Sequence, residues 1–189
     1  MIHDCLNFIA GQLDGHFRSL FQINDSKVIV SSLINHDGSI PIAIQDKVVI
    51  SLVNIEQETS IANLPFTKNA GSAFVVRNPP VSINLYVLFA AYFNDYNESL
   101  KFISATISFF QSNIVFLRSD HPAMGDSIDK VVFELHKVDY MNMHYLWSTI
   151  GSKYVPSMSY KMRMLTFDDA PARSEGALIT KPEVKVSKN

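Results

Sequence analysis

The chain has 189 residues and a formal net charge of −2, from 16 Lys and Arg against 18 Asp and Glu. A length of this order suits one main domain with a core of its own, and the balanced charge excludes the clustered basic excess of a nucleic-acid binder. The single cysteine, Cys5, excludes an intrachain disulfide and a cysteine zinc site, and suits a reducing cytoplasm.

Residues 2–21 place Ile2, Leu6, Ile9, Leu13, Phe17 and Leu20 at three- and four-residue spacings, which predicts a helix with one apolar face. No basic region precedes an unbroken apolar run there, so no secretory signal is read. Gly11 and Gly15 share a side of this helix, where they are either tolerated or admit a second backbone. Val28–Leu33 and Lys47–Ile55 follow as strands, the second apolar on both alternating faces and therefore expected to be central and covered on both sides.

Residues 56–80 carry Pro65, Asn69, Gly71 and Pro79-Pro80 and read as an unusually long connection, functional or disordered. Val81–Phe93 is expected to be the longest core strand, yet it is shorter than the ~18 residues of a membrane span. Asp95 with Glu98 forms a capping-box pattern ahead of a helix over 96–111, whose expected stripe is Leu100, Ile103, Ile107 and Phe110 with Phe102 and Phe109 alongside.

A turn-rich segment with Pro122 and Gly125 leads to a strand at Lys130–His136. Asp139 then caps a short helix with Met143, Leu146, Trp147 and Ile150 on one side, and Gly151 is placed to end it in a left-handed conformation. After Pro156, Met158–Phe167 alternates Met158, Tyr160, Met162 and Met164 with Ser159, Lys161 and Arg163, so one side is expected to be buried. The polar stretch from Asp168 onward reads as an arm without a core of its own. Within it, Ala177, Leu178, Ile179 and Thr180, then Val184 and Val186, suit an added edge strand touching a neighbouring subunit or another protein. The expected fold is α+β: one mixed sheet of about four to six strands layered with three helices, as domain 1–167 followed by an extended arm 168–189.

Signals for chemistry are sparse. No GxxxxGK phosphate loop, GxGxxG turn or GxSxG elbow occurs, and the six histidines include no pair at helical metal-site spacing. Glu56 and Glu58 have strand spacing, which puts both carboxylates on one face; they are either the start of an acid–base pair, or else a solvated strand end or an ionic contact to a neighbour. Cys5 on the buried side of the first helix is expected to be inert. No catalytic residue, cofactor or metal site is expected. Set against only 18% charged residues, 13 Phe and 7 Tyr exceed what one small core hides, so some are expected at subunit interfaces.

Five segments, VVISLVNIEQE (48–58), PPVSINLYVLFAAYFNDYNESLKFIS (79–104), ISFFQ (107–111), LWSTIGSKYVPS (146–157) and MSYKMRM (158–164), together resemble one known pattern. It is that of the N-terminal domain of tail-terminator cap proteins from extracellular contractile injection systems, the antifeeding-prophage and Photorhabdus virulence cassette type. The motif positions are Asn54, Glu56, Glu58, Asn84, Tyr86, Phe109, Phe110, Gln111, Leu146, Trp147, Gly151, Pro156, Ser157, Tyr160, Lys161 and Arg163. Most are expected to define the fold, with Trp147 in the core.

The resemblance implies a homohexameric ring on the end of a contractile sheath and inner tube, stopping growth and stabilising that end. It implies partners that are other copies, sheath protein and tube protein, with neither membrane nor nucleic acid. It further implies assembly in the bacterial cytoplasm and release within an extracellular particle. Other readings are a different tail-end adaptor, or a small hydrolase or ligand-binding domain built around Glu56, Glu58 or an aromatic pocket.

Overall fold

In a computed structural model, the described residues are 1–58, 66–70, 73–77, 81–125, 128–167 and 174–177. They divide into two compact units, residues 1–58 with 82–166, and residues 59–81 with 167–189. The second unit thus takes in 59–81 as well as the C-terminal stretch.

The larger unit is built on a six-stranded sheet in the order β1-β2-β5-β8-β7-β6. Its strands are β1 (Val28–Val30), β2 (Lys47–Gln57), β5 (Val81–Tyr92), β6 (Val115–Leu117), β7 (Lys130–His136) and β8 (Ser157–Phe167). β1 and β2 run parallel, while β2/β5, β6/β7 and β7/β8 are antiparallel, so the sheet is mixed. Three helices join it: α1 (Ile2–Phe21), α2 (Tyr96–Ser112) and α3 (Tyr140–Ile150). The second unit holds β3 (Phe66–Ala70), β4 (Ala73–Arg77) and β9 (Ser174–Ala177), in the order β3-β4-β9.

One sheet face is packed with aromatic rings. Phe89 of β5 meets Phe110 of α2 at 4.9 Å, and Phe110 stacks on Phe133 of β7 at 4.5 Å. Phe17 of α1 meets Phe102 of α2 edge-on at 5.0 Å. Edge-to-face and offset ring pairs of this kind add to the burial of their area. Cys5 and Met162, both fully buried, place α1 over β8 with sulfurs 4.0 Å apart. Burial pushes the Cys5 thiol up to about 12, which keeps it protonated and unreactive.

The opposite face carries α3. Trp147 packs with Val49 of β2 and Leu88 and Ala90 of β5, and with Leu33 and Ile44 from the β1–β2 connection. Met143, Leu146, Ile150 and Val155 close around this cluster. Asp139 caps α3 by accepting from the Asn142 amide at 2.8 Å. Gly151 ends it at φ 76°, donating its N–H to the Trp147 carbonyl; a side chain at that φ would be strained.

Several expectations need correction. Leu20 is 53% exposed, because α1 turns its other positions, Cys5 and Phe8, into the core beside Leu6, Ile9, Leu13 and Phe17. A Cβ at Gly11 or Gly15 would meet nothing within 4 Å, so no described part of this chain approaches them, as the tolerated reading has it. The α2 stripe is rotated: Ser99, Phe102, Ala105, Thr106, Phe109 and Phe110 are buried, while Leu100 and Ile107 are 43% and 39% exposed. The larger rings take the core and pull the helix round with them. Asp95 caps α2 through the Asn97 amide, and Glu98 faces Lys101 at 3.3 Å in place of a reciprocal capping box.

β2 lies one strand from the edge, and only Val48–Ile50 is covered on both sides. The long connection contains the β3–β4 hairpin. β9 (Ser174–Ala177) pairs with β4 of the same chain, Ala177 opposite Ala73, and meets the expected 177–180 run only at Ala177. Leu178, Ile179, Thr180, Val184 and Val186 lie outside the described residues. The phenylalanine surplus is mostly core: Phe8, Phe17, Phe89, Phe102, Phe109, Phe110, Phe116 and Phe133 are all buried. Among the described residues, the exposed large aromatic side chains are tyrosines, Tyr96, Tyr140, Tyr145 and Tyr154.

Candidate functional site: a charged ladder on the sheet

On the α3 face, the sheet changes character beyond the Trp147 cluster. A bulge at Val53 makes it change. Before the bulge β2 pairs Val49 with Ala90 and Ser51 with Leu88; after it, Asn54 pairs with Tyr86 and Glu56 with Asn84. One extra residue reverses which side chains face which way, so odd-numbered residues of β2 share the face of Leu88 and Ala90 before Val53, and even-numbered ones after it. Without the bulge Val53 and Ile55 would occupy this face in place of Asn54 and Glu56.

The carboxylates so placed are held by side chains from two other strands, β5 and β8. Glu56 Oε2 accepts from the Tyr86 hydroxyl at 2.7 Å and from Lys161 Nζ at 3.5 Å. Glu58 Oε2 accepts from Asn84 Nδ2 at 2.9 Å and from Arg163 Nη2 at 3.3 Å. Arg163 reaches the other way with Nη1, 2.9 Å from Glu134 Oε1 on β7. Lys161 also lies over the Tyr86 ring, 5.5 Å from its centre. Two rows thus cross the sheet, one through Glu56, Tyr86 and Lys161, the other through Glu58, Asn84, Arg163 and Glu134.

The electrostatics follow the contacts. Hydrogen bonding from Tyr86, then the charge of Lys161, holds Glu56 below the usual carboxylate range. The same bond, seen from its donor, raises Tyr86. Burial works against the Lys161 ammonium, but Tyr86 and Glu56 outweigh it and raise Lys161 above its ordinary value. Glu134 first, then Glu58, raises Arg163. Every one of these shifts favours the paired form, so Glu56 is not poised as a proton acceptor near neutrality.

Beside the ladder lies a cavity of about 260 Å³ whose lining includes Val53, Tyr86, His136, Leu146 and Ser159. Ser159, opposite His136 on the neighbouring strand, is small enough that the His136 and Tyr86 rings meet above it at 4.8 Å. No cluster of three or more His, Cys, Asp or Glu able to hold a metal occurs among the described residues. None of their helices is long and apolar enough to cross a membrane.

The motif residues therefore fall into separate places. Asn54, Glu56, Glu58, Asn84, Tyr86, Lys161 and Arg163 lie together on the polar face. Phe109, Phe110 and Tyr160 belong to the aromatic core, where burial pushes the Tyr160 hydroxyl up to about 12. Leu146, Trp147 and Gly151 belong to α3; Pro156 offers its carbonyl to the Ala91 amide at 2.9 Å and leads into β8 at Ser157, while Gln111 is exposed on α2. Glu134, His136 and Ser159 also belong to the polar face and were missed as site residues. The signal was present in the alternation of KVVFELH, which puts Glu134 and His136 on one side.

A sequence model of the Pvc16 N-terminal domain family matches residues 7–181. The chain belongs to the Pvc16 N-terminal domain family. Among solved structures, its fold is similar to the sheath/tube terminator of an extracellular contractile injection system, PVC, in the extended state. The TM-score is 0.64 at 14% identity, covering 100% of this chain and 64% of that one. It is also similar to the anti-feeding prophage cap, described as the AFP tube terminating cap, with TM-score 0.56 at 12% identity, covering 96% and 60%. The Pvc16-family chain described here thus spans less than two thirds of the length of either structure. No curated protein shows significant sequence similarity to it.

Proposed function

We propose that this chain is the structural cap of a contractile injection particle, forming a ring on the end of sheath and inner tube that stops growth and stabilises that end. The observation that carries this reading is the family match over 7–181, joined to a fold shared with a sheath/tube terminator and a tube terminating cap. The ladder agrees with it. Its carboxylates are engaged by Tyr86, Lys161, Asn84 and Arg163, an arrangement that braces a sheet.

In this reading the ring is a homohexamer, no catalysis or cofactor is involved, and the particle acts outside the cell. Residues after Ala177 grip a neighbouring subunit or the sheath end. The test is deletion of the chain from a producing strain, with particle lengths measured by electron microscopy. Sheaths and tubes of uncontrolled length or unstable ends are expected, and restored lengths on re-expression. Particles of normal length and stability without the chain would refute the cap reading. Removing residues 178–189, which spares β9, is expected to leave the domain folded and to weaken capping.

A further inference from the structure

The two most exposed large hydrophobic side chains among the described residues are Tyr140, at 89%, and Ile42, at 84%. They belong to surfaces flanked by charges of opposite sign. Tyr140 lies on a groove of about 690 Å³ that Val138, Met141, His144, Trp147 and Tyr154 also line. Lys137 and Lys153, both exposed, are chain neighbours of two lining residues and have no ion-pair partner among the described residues. The nearby Asp139 spends both carboxylate oxygens on Asn142, at 2.8 Å each. The buried Nε1 of Trp147 has no hydrogen-bond partner among the described residues, and Trp147 itself is only 6% exposed. This groove is largely apolar, and a lysine adjoins its lining in sequence at each of Val138 and Tyr154.

Ile42 tips a knob of opposite kind. Ile40 is 45% exposed beside it, and Pro41 between them holds an extended φ of −61°. Asp37 and Asp46 flank the knob on either side, with Lys47 following Asp46 at the start of β2. Each carboxylate accepts hydrogen bonds, from Ser39 and from the Asn94 amide, but neither has an ion-pair partner among the described residues. Ile44, fully buried with Leu33 and Val49, anchors the knob in the core, so little order is lost when Ile42 is covered. The knob precedes β2 and the groove begins at Val138 and Tyr140, after β7; the two are distinct patches that flank one core cluster, which holds Ile44 of the knob and Trp147 of the groove.

We infer that the occupant of the groove is the Ile40–Ile42 knob of a second copy, docked head to tail with Asp37 and Asp46 facing Lys137 and Lys153. A knob and a groove at different places on one subunit make a heterologous contact, which generates a closed ring when the rotation closes. The inference rests on the ring reading above and names the surfaces that would build it.

The experiment follows assembly of the full chain by light scattering and electron microscopy, with and without sheath, in four forms. These are the wild type, Lys137→Glu/Lys153→Glu, Asp37→Lys/Asp46→Lys, and the chain carrying all four changes. The wild type is expected to form rings, either charge pair alone to raise the concentration for half-assembly at least tenfold, and the fourfold reversal to restore it. In a second measurement, chains carrying Ile42→Cys are mixed with chains carrying Tyr140→Cys and oxidised; the mixture is expected to cross-link, with Cys5 buried and silent. Rings unaffected by either charge pair, with no cross-link, overturn the knob-and-groove contact and leave the ring reading standing. Disruption without restoration by the fourfold form shows an acidic partner other than the knob, and also overturns it. A wild-type chain that stays monomeric under every condition removes the ring reading itself.

Discussion

The two faces of the six-stranded sheet are stabilised by different physics. Under α1 and α2 the face is continuous aromatic packing, with Phe89, Phe110, Phe133 and Tyr160 in mutual ring contact. Under α3 it is apolar only as far as the Trp147 cluster and then becomes a ladder of paired charges. Close packing has no slack, whereas a partly exposed charge network is surrounded by water that can replace a lost partner. The first face should therefore govern whether the domain folds, and the second should tune the surface it presents.

The largest effect that comparison predicts is at Phe110, less than 2% exposed and in ring contact with four other aromatic side chains. Phe110→Ala removes a ring that close-packed neighbours cannot replace, and should cost ~3–5 kcal/mol in urea unfolding. A loss below about 1 kcal/mol would show that the aromatic face is not the stability-determining one.

Next comes Trp147, the apolar half of the other face. Trp147→Ala is expected to cost about 3 kcal/mol through the cavity left against Val49, Leu88 and Ala90. Trp147→Phe should cost less, about 1–2 kcal/mol, because the indole N–H makes no hydrogen bond that would be lost. If Trp147→Ala leaves the melting temperature unchanged and abolishes assembly, the residue belongs to an interface and not to the core.

These two residues also show what could be read from the sequence. Helical spacing in 140–150 with Asp139 before it and Gly151 after it specifies α3 and its inner side, because each signal is local. The i, i+2 spacing of Glu56 and Glu58 likewise puts both on one face. Their partners Lys161 and Arg163 lie 105 residues away in sequence, and no local pattern encodes which strands become neighbours. The bulge at Val53 is equally silent, since it depends on the register against β5. In α2 the pattern was ambiguous: two apolar stripes overlap, and the bulk of Phe102, Phe109 and Phe110 decides between them. The β3–β4 hairpin was read as a loop because Pro65, Gly71 and Pro79-Pro80 outweigh two short strands.

A smaller effect is expected in the ladder. Arg163→Met breaks contacts to both Glu58 and Glu134, and should lower the melting temperature by a few degrees at low ionic strength and by less at high salt. A loss that does not depend on salt would mean that Arg163 acts by packing its stem and not by charge.

The smallest and most specific effect is on pH dependence, and it isolates the bond between Tyr86 and Glu56. Glu56 has a folded pKa below its unfolded one, so its contribution is fully present above the ordinary carboxylate range and is lost as pH falls through the depressed folded value. Tyr86 has a raised pKa, and its stabilised form is the neutral phenol that donates the bond. Its contribution is therefore present below about 10 and is lost as pH rises through the raised value. The single bond thus gives a stability plateau with an acid edge and an alkaline edge. Tyr86→Phe should soften both, while Lys161→Met should soften the acid edge only in part, because hydrogen bonding from Tyr86 is the larger cause of the Glu56 shift. Thermal melts from acid to alkaline pH in the three proteins check this. If Tyr86→Phe changes neither edge, the bond contributes nothing to stability, and the polar face is held by the Glu58–Arg163–Glu134 row alone.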